Sequence, residues 1–308
     1  MNWICLLFLF VSPLLSWSLS FAETVAETAA VTSSSPITET CMEELRKLPG
    51  HSDSAALQKV CAEAVHNENC RSEKGLPIFH WNRKGTTAAT TAPQQQKPLK
   101  ILVFGMIHGD EPWSGSLARL WAERLTRFDP RNEWRILPIL NPDGWRLKTR
   151  MNSRQVDLNR NFPTKDWAAE AVQHWAKSSG KNKRRFPGPS AGSEKETLCS
   201  IWQIEDFQPD FVISVHTPYG VMDFDGPKSR APSATPLPWR RLGNYPGSLG
   251  RYLWKERGTP VLTVELVHRE PAFSNERYAR LQDELSDFAR KTVDELERSR
   301  SPNLAATP

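Results

Sequence analysis

Four short apolar runs constrain this chain more than any other feature: KILVFGMI at 100–107, WRILPIL at 134–140, DFVISVH at 210–216 and TPVLTVELVH at 259–268. They are too rich in Val, Ile, Leu and Phe to leave one face in water, the pattern of strands covered on both sides. Between the first two lies GSLARLWAERLTRF at 115–128, whose apolar residues recur at helical spacing with charges on the other side. Strand, helix, strand in that order predicts an α/β sheet. A further helix is predicted over TLCSIWQIEDF, with Ser193 and Glu196 spaced as a capping box ahead of it and Pro209 closing it. A last helix is predicted over 274–298, where Tyr278, Leu281, Leu285 and Phe288 share a face.

The N-terminal third has a different texture. Residues 1–22 carry no charged side chain, and Ser20-Phe21-Ala22 has the small-x-small form of a cleavage site, so the segment reads as a secretory signal peptide. Residues 23–40, dominated by Thr, Ser and Ala, read as a flexible linker. CMEELRKL and SAALQKVCAEAV around PGHSD read as a helical hairpin, with a second linker at 85–98. Together they make 41–98 an N-terminal appendage to a main domain at 99–298, and 299–308 a disordered tail. Signal removal leaves Cys41, Cys61, Cys70 and Cys199, an even number that suggests disulfides in an exported chain, with three pairings open. Cys199, inside a helical pattern, reads equally well as a buried free thiol. A net charge of +5 on a charged fraction of 24% fits an anionic substrate or surface without implying nucleic acid. No stable membrane span is expected once the signal is cleaved, and the sequence sets no oligomeric state.

Ligands of open α/β sheets collect beyond the carboxyl ends of the strands. The first run leads into His108 and Glu111, the third ends at His216, and the fourth carries Glu265. Two imidazoles and a carboxylate suit Zn²⁺, which takes nitrogen and oxygen ligands at about 2.0–2.2 Å and keeps a fourth position open in catalytic sites. His108 and Glu111 alone make a weak pattern, readable as a polar turn that Gly109 permits. The arrival of His216 and Glu265 at other strands favours a metal centre. The segment 141–163 is dense in Asn and Arg without a hydrophobic period. Loops of that length in a compact domain are usually functional, and guanidinium forks grip carboxylates at two points.

In this order HGDE, NPDG, VDLNRNFP, SVHTP and TVEL resemble the motifs of the M14 metallocarboxypeptidase family. The resemblance is greatest to its bacterial branch acting on the γ-D-glutamyl–diaminopimelate bond of peptidoglycan peptides. GSEKETLC and YPGSLG are similar to segments of the murein peptide amidases, and HTPYGVMDFDGP to the cell-shape-determining DL-carboxypeptidases. The resemblance spans about residues 100–270. It implies a mixed, mostly parallel twisted sheet with helices on both faces, the helical appendage lying outside it. It implies one Zn²⁺ per chain on His108, Glu111 and His216, with Glu265 as general base and Asp157 holding His108. Arg150, nine residues before Asn159, would stabilise the oxyanion, and Asn159 and Arg160 would bind the terminal carboxylate. Asp223 and Asp225 are candidates for the far ammonium of diaminopimelate, and are equally readable as turn-forming acids beside Gly226 and Pro227. Ser248 is a further substrate-binding candidate. The tyrosine of pancreatic-type members has no counterpart, and Tyr245 receives no catalytic role. The implied enzyme is a periplasmic peptide hydrolase, its partner a peptidoglycan peptide or muropeptide, its service wall remodelling, recycling or cell shape.

Other readings compete. GPSAG at 188–192 matches G-x-S-x-G with Ser190 central, yet a nucleophile elbow needs a preceding strand and KSSGKNKRRFP is a basic coil. A zinc deacylase of small N-acyl amino acids would use the same ligands, although export and the full VDLNRNFP motif argue against it. A non-catalytic wall-binding module would not need Glu265. KNKRR at 181–185 reads as a solvated loop or a patch drawn to anionic wall polymer rather than to nucleic acid.

Overall fold

The computed structural model describes residues 35–86, 97–227, 237–267 and 275–300. It begins with α1 (Pro36–Arg46), α2 (Ser54–Ala62), β1 (Val65–Arg71), β2 (Pro77–Arg83), β3 (Lys100–Phe104), α3 (Pro112–Leu125), β4 (Glu133–Leu137) and α4 (Pro142–Leu147). It continues through α5 (Val172–Lys177), α6 (Lys195–Phe207), β5 (Phe211–His216), β6 (Tyr219–Asp225), α7 (Leu249–Arg251), β7 (Val261–Val267) and α8 (Asn275–Arg300).

The seven strands form one mixed sheet in the order β1-β2-β4-β3-β5-β7-β6. Its four central strands, β4, β3, β5 and β7, run parallel, and antiparallel β2 and β6 flank them. Burial explains the order. Every residue of β5 is buried, so that strand needs cover on both faces, whereas β1, VHNENCR, is mostly polar and half in water and sits at the edge. Alternate residues of the central strands feed opposite cores. Ile101, Val103, Ile213 and Val215 pack with Trp121 of α3 and Leu281 and Leu285 of α8. Leu102, Phe104, Val212 and Val261 pack with Ile204 and Phe207 of α6.

Several expectations change. The boundary at 98/99 does not separate the sheet from an appendage, because β2 pairs with β4 through Trp81↔Ile136 and Arg83↔Trp134. Residues 65–83 are therefore part of the sheet, and only α1 and α2 form the helical hairpin. Of the linker read at 23–40, residues 36–40 are already helical, started by Ser35, whose Oγ accepts from Thr38 N. At the other end α8 reaches Arg300. The signal peptide, residues 23–34, much of the second linker and residues 301–308 lie outside the described residues. The capping box does not form: Ser193 Oγ donates to Glu194, while the Glu196 carboxylate accepts from Glu73 N and Asn152 Nδ2, tertiary partners that outcompete the local ones. Cys41 is bonded to Cys61 within the hairpin, and Cys70 to Cys199, which ties β1 to α6.

The hairpin packs on Met106 and Ile139. Fully buried Arg119 of α3 anchors it by donating to the carbonyls of Leu45, Leu48, Pro49 and His51 at 2.8–3.1 Å. Of these, Leu45 O lies in the last turn of α1, where it also accepts from Leu48 N at 3.3 Å, and the others follow the helix. Among the described residues, no helix is long and apolar enough to cross a membrane.

Candidate metal centre and cleft

The site lies where the central strands end. After β3 the chain turns through His108 to Glu111, which precedes Pro112, the first residue of α3. A Cβ on Gly109 would lie 2.0 Å from the carbonyl carbon of Gly144. Glycine is needed there so that α4 can approach, rather than for the conformational freedom the sequence reading gave it. His216 ends β5 directly opposite Glu265 of β7 in the parallel register, so sheet pairing alone sets them side by side.

Three buried side chains converge. His108 Nδ1 lies 2.8 Å from Glu111 Oε1, His216 Nδ1 lies 3.0 Å from Glu111 Oε2, and the two Nδ1 atoms are 3.1 Å apart. Ligands at about 2.0–2.2 Å around one tetrahedral ion stand roughly 3.3–3.6 Å apart, so a small outward relaxation admits Zn²⁺. The donor chemistry fits as well: two imidazole nitrogens facing each other cannot both be lone pairs without a cation or proton between them. The outer nitrogens are occupied, His108 Nε2 by Asp157 Oδ1 at 3.2 Å and His216 Nε2 by Ser214 Oγ at 3.0 Å, which turns both Nδ1 atoms inward. Burial opposes ionisation of Glu111, but the imidazoles of His108 and His216 hold its carboxyl far below the usual carboxylate range.

Arg150 borders this set. Its Nε donates to Asp157 Oδ2 at 3.0 Å, and its Nη1 stands 3.1 Å from His108 Nδ1 and 3.5 Å from Glu111 Oε1. Asp157 is fully buried and also accepts from Asn159 N. Despite burial, Arg150 and His108 keep it ionised. Burial pulls the Arg160 guanidinium down to about 10, leaving it cationic at neutral pH; it stacks 4.3 Å over the Tyr245 ring. Asn159 Oδ1 accepts from Leu249 N, and Ser248 caps α7 by accepting from Arg251 N. Burial raises the Glu265 carboxyl, and its buried Oε2 has no hydrogen-bond partner among the described residues.

These groups share one cleft of about 630 Å³. Every residue nominated from the sequence for ligation, catalysis or substrate contact lines it, except Asp157, which stands behind His108 and Arg150. Asp223 and Asp225 belong to β6, paired with Thr263 and Val261, so the turn reading of these acids does not hold. Three members of the KNKRR run, Asn182, Arg184 and Arg185, line the cleft, and Arg184 Nη2 lies 2.6 Å from Asp110 Oδ2. That run is therefore a wall of the site as well as a solvated loop. Ser190 is exposed in a loop that follows no strand, which removes the nucleophile elbow. Sequence reading missed Ser214, although its position two residues before His216 on a strand already places it on the same face. It also missed Arg240 and Arg241, which carry no motif.

The fold and the centre together define a zinc-peptidase architecture. The chain belongs to the zinc carboxypeptidase family, peptidase M14, which matches residues 74–236. It is 32% identical over 134 residues to murein peptide amidase A of Escherichia coli strain K12, covering 43% of this chain and 54% of that protein. It is 30% identical over 176 residues to murein peptide amidase A of Vibrio campbellii, covering 54% and 68%. The chain thus spans about half the length of the Escherichia coli relative. Carboxypeptidase A from Helicoverpa armigera superposes with a TM-score of 0.57 over 83% of this chain and 80% of that one at 15% identity, a likeness of fold.

Proposed function

We propose that this chain hydrolyses the amide between γ-D-glutamate and meso-diaminopimelate in peptidoglycan-derived peptides, in the periplasm, using one zinc ion held by His108, Glu111 and His216. The observation that carries the reading is the meeting of this ligand set with the unpartnered Glu265 carboxylate oxygen and the guanidinium groups of Arg150 and Arg160 in one cleft. The matched murein peptide amidases support the substrate class.

When bound, Zn²⁺ supplies the Lewis acidity that brings the pKa of a water toward about 7. Glu265, set beside His216 by strand register, would take a proton from the attacking water and pass it to the departing amine. Its free Oε2 is the accepting atom, and burial raises its proton affinity in the direction this task needs. Arg150, aimed by Asp157, donates to the oxygen that gains charge as the carbonyl is attacked; one such donor is worth roughly 10²–10³ in rate. Arg160 pairs with the substrate's terminal carboxylate. Asn159, whose Oδ1 is occupied by Leu249 N, has no partner for its Nδ2 among the described residues and would donate it to the same group. Ser248 fixes the wall behind them through its cap on α7. The C–N bond breaks, leaving a glutamyl carboxylate and free diaminopimelate.

Digesting purified sacculi and free L-Ala-γ-D-Glu-meso-diaminopimelate separately, with mass detection of released diaminopimelate, tests the reading. Release from the tripeptide is expected. No release from either material contradicts the substrate assignment.

A further inference from the structure

Arg150, Asp157, Asn159 and Arg160 all stand on one irregular segment, 148–163, which holds a single short helical turn, Leu158–Arg160, and no strand. A backbone without a ladder takes its position from side chains, and two buried asparagines supply them here. Asn152 closes a turn from inside. Its Oδ1 accepts from Arg154 N and Val156 N, both at 3.1 Å, and its own N–H donates to Val156 O at 3.0 Å. That closure returns the chain so that Asp157 meets Arg150. The Asn152 Nδ2 points the other way, donating to Glu194 Oε2 at 2.7 Å and to Glu196 Oε2 at 3.1 Å. At the far end of the segment Asn161 Nδ2 donates to Pro187 O, Ser190 O and Ser193 Oγ at 2.8–3.0 Å, and its Oδ1 accepts from Glu194 N at 3.2 Å. Ser193 Oγ donates in turn to Glu194 Oε1 at 2.6 Å.

These bonds make one continuous chain, Asn161–Ser193–Glu194–Asn152, that joins both ends of the segment through the residue preceding α6. Glu194 starts α6 without capping it, because its carboxylate is turned to Ser193 and Asn152. A carboxylate suits the post, since its two oxygens serve both arms at once. The anchor is firm where the segment is not: α6 is bonded to β1 through Cys70 and Cys199 and packs its Ile204 and Phe207 into the core. GSEKETLC, whose capping box does not form, acquires a task in this way. We propose that Asn152 and Glu194 are positioning residues for the reaction, Glu194 holding the Asn152 amide and Asn152 setting the turn that lets Asp157 aim the Arg150 guanidinium. The inference rests on the function proposed above. Neither residue lines the cleft, so both act through Arg150. The two arms also divide the labour. Asn152 borders the oxyanion donor, whereas Asn159 and Arg160 are held from the Asn161 side, so loss of Asn152 is expected in kcat rather than in KM.

The test uses the whole chain carrying Asn152→Ala, Glu194→Asp or both. One readout is kcat and KM for L-Ala-γ-D-Glu-meso-diaminopimelate at saturating zinc, normalised to bound zinc. The other is the Arg150 Nε–H resonance of the zinc-free protein labelled with 15N-arginine, assigned by its loss in Arg150→Lys. Asn152→Ala is expected to lower kcat roughly 10–100-fold, less than outright removal of an oxyanion donor at its worst, with KM within about threefold, and to shift the Arg150 resonance. A variant that is merely less stable binds less zinc but keeps kcat per bound zinc and leaves the resonance in place. Glu194→Asp keeps the buried charge yet falls one methylene short of Asn152. It is the milder variant, expected to move kcat and the resonance in the same direction, and it decides the matter should Asn152→Ala not fold. In the double variant the kcat loss is expected to equal that of Asn152→Ala alone, because the two residues act in one chain. Unchanged kcat in a folded single variant, an unmoved resonance, or losses that multiply in the double variant overturns the inference. Absence of wild-type turnover overturns the proposed function instead, and the resonance then still decides whether Asn152 and Glu194 aim Arg150.

Discussion

Replacing Asp157 with Asn tests the network behind the centre with almost no change of shape. The carboxylate is fully buried and accepts three times, from His108 Nε2 and Asn159 N on one oxygen and from Arg150 Nε on the other. If the amide oxygen of Asn keeps the first position, its NH₂ meets the Arg150 Nε–H, donor against donor. A hydrogen bond to a charged group is worth about 1.5–3 kcal/mol, and losing it also frees the guanidinium from its aim. Loss of an outer partner of a ligating histidine typically weakens metal binding about 10–100-fold. A misaimed oxyanion donor costs up to roughly 10²–10³ in rate. The variant is therefore expected to bind zinc 10–100-fold more weakly by chelator competition, and to retain a kcat deficit of roughly 100-fold when zinc is saturating. A folded variant with unchanged zinc affinity and unchanged kcat would refute the network. Full recovery of kcat in excess zinc would mean that Asp157 acts through His108 alone.

Glu265→Gln is expected to fold and bind zinc yet lose roughly 10²–10⁴ in turnover, and near-normal turnover removes it as general base. Glu196 supplies a pH test away from the cleft. Burial pushes its carboxyl up to about 7 from an ordinary 4.5, so the folded state binds the extra proton, and stability falls as pH rises through 4.5–7. The gap is worth at most about 3 kcal/mol. Urea unfolding at pH 4.5 and 7.5 is expected to show a smaller loss with rising pH in Glu196→Gln than in the wild type. Equal losses in both contradict the assignment.

What the sequence revealed follows from how locally each signal is written. The central strands were legible because full burial leaves continuous apolar runs, and the clustering of His108, Glu111 and His216 because they lie at or just past the ends of such runs. β1 and β2 were not, since a half-exposed edge strand such as VHNENCR has the composition of a loop. β6 was hidden for a similar reason, its GVMDFD reading as turn chemistry until pairing with β7 was seen. Disulfide pairing depends on contacts between residues as far apart as Cys70 and Cys199, which no spacing encodes. The capping box failed because Glu196 found Asn152 and Glu73 across the fold. Arg240 and Arg241 look like ordinary surface charge in sequence and reach the cleft only through the hydrogen bonds that bring their backbone along β6.

The central claim is a zinc ion at one stated place, and diffraction from zinc-soaked crystals across the zinc absorption edge addresses it most directly. The expected result is a single anomalous peak per chain, about 2.0–2.2 Å from His108 Nδ1, His216 Nδ1 and the Glu111 carboxylate, which disappears in His216→Ala. Glu73, Glu194 and Glu196 form another cluster whose carboxylate oxygens lie within 4.8 Å of one another. A peak there instead, or no peak beside His108 at saturating zinc, would contradict the account.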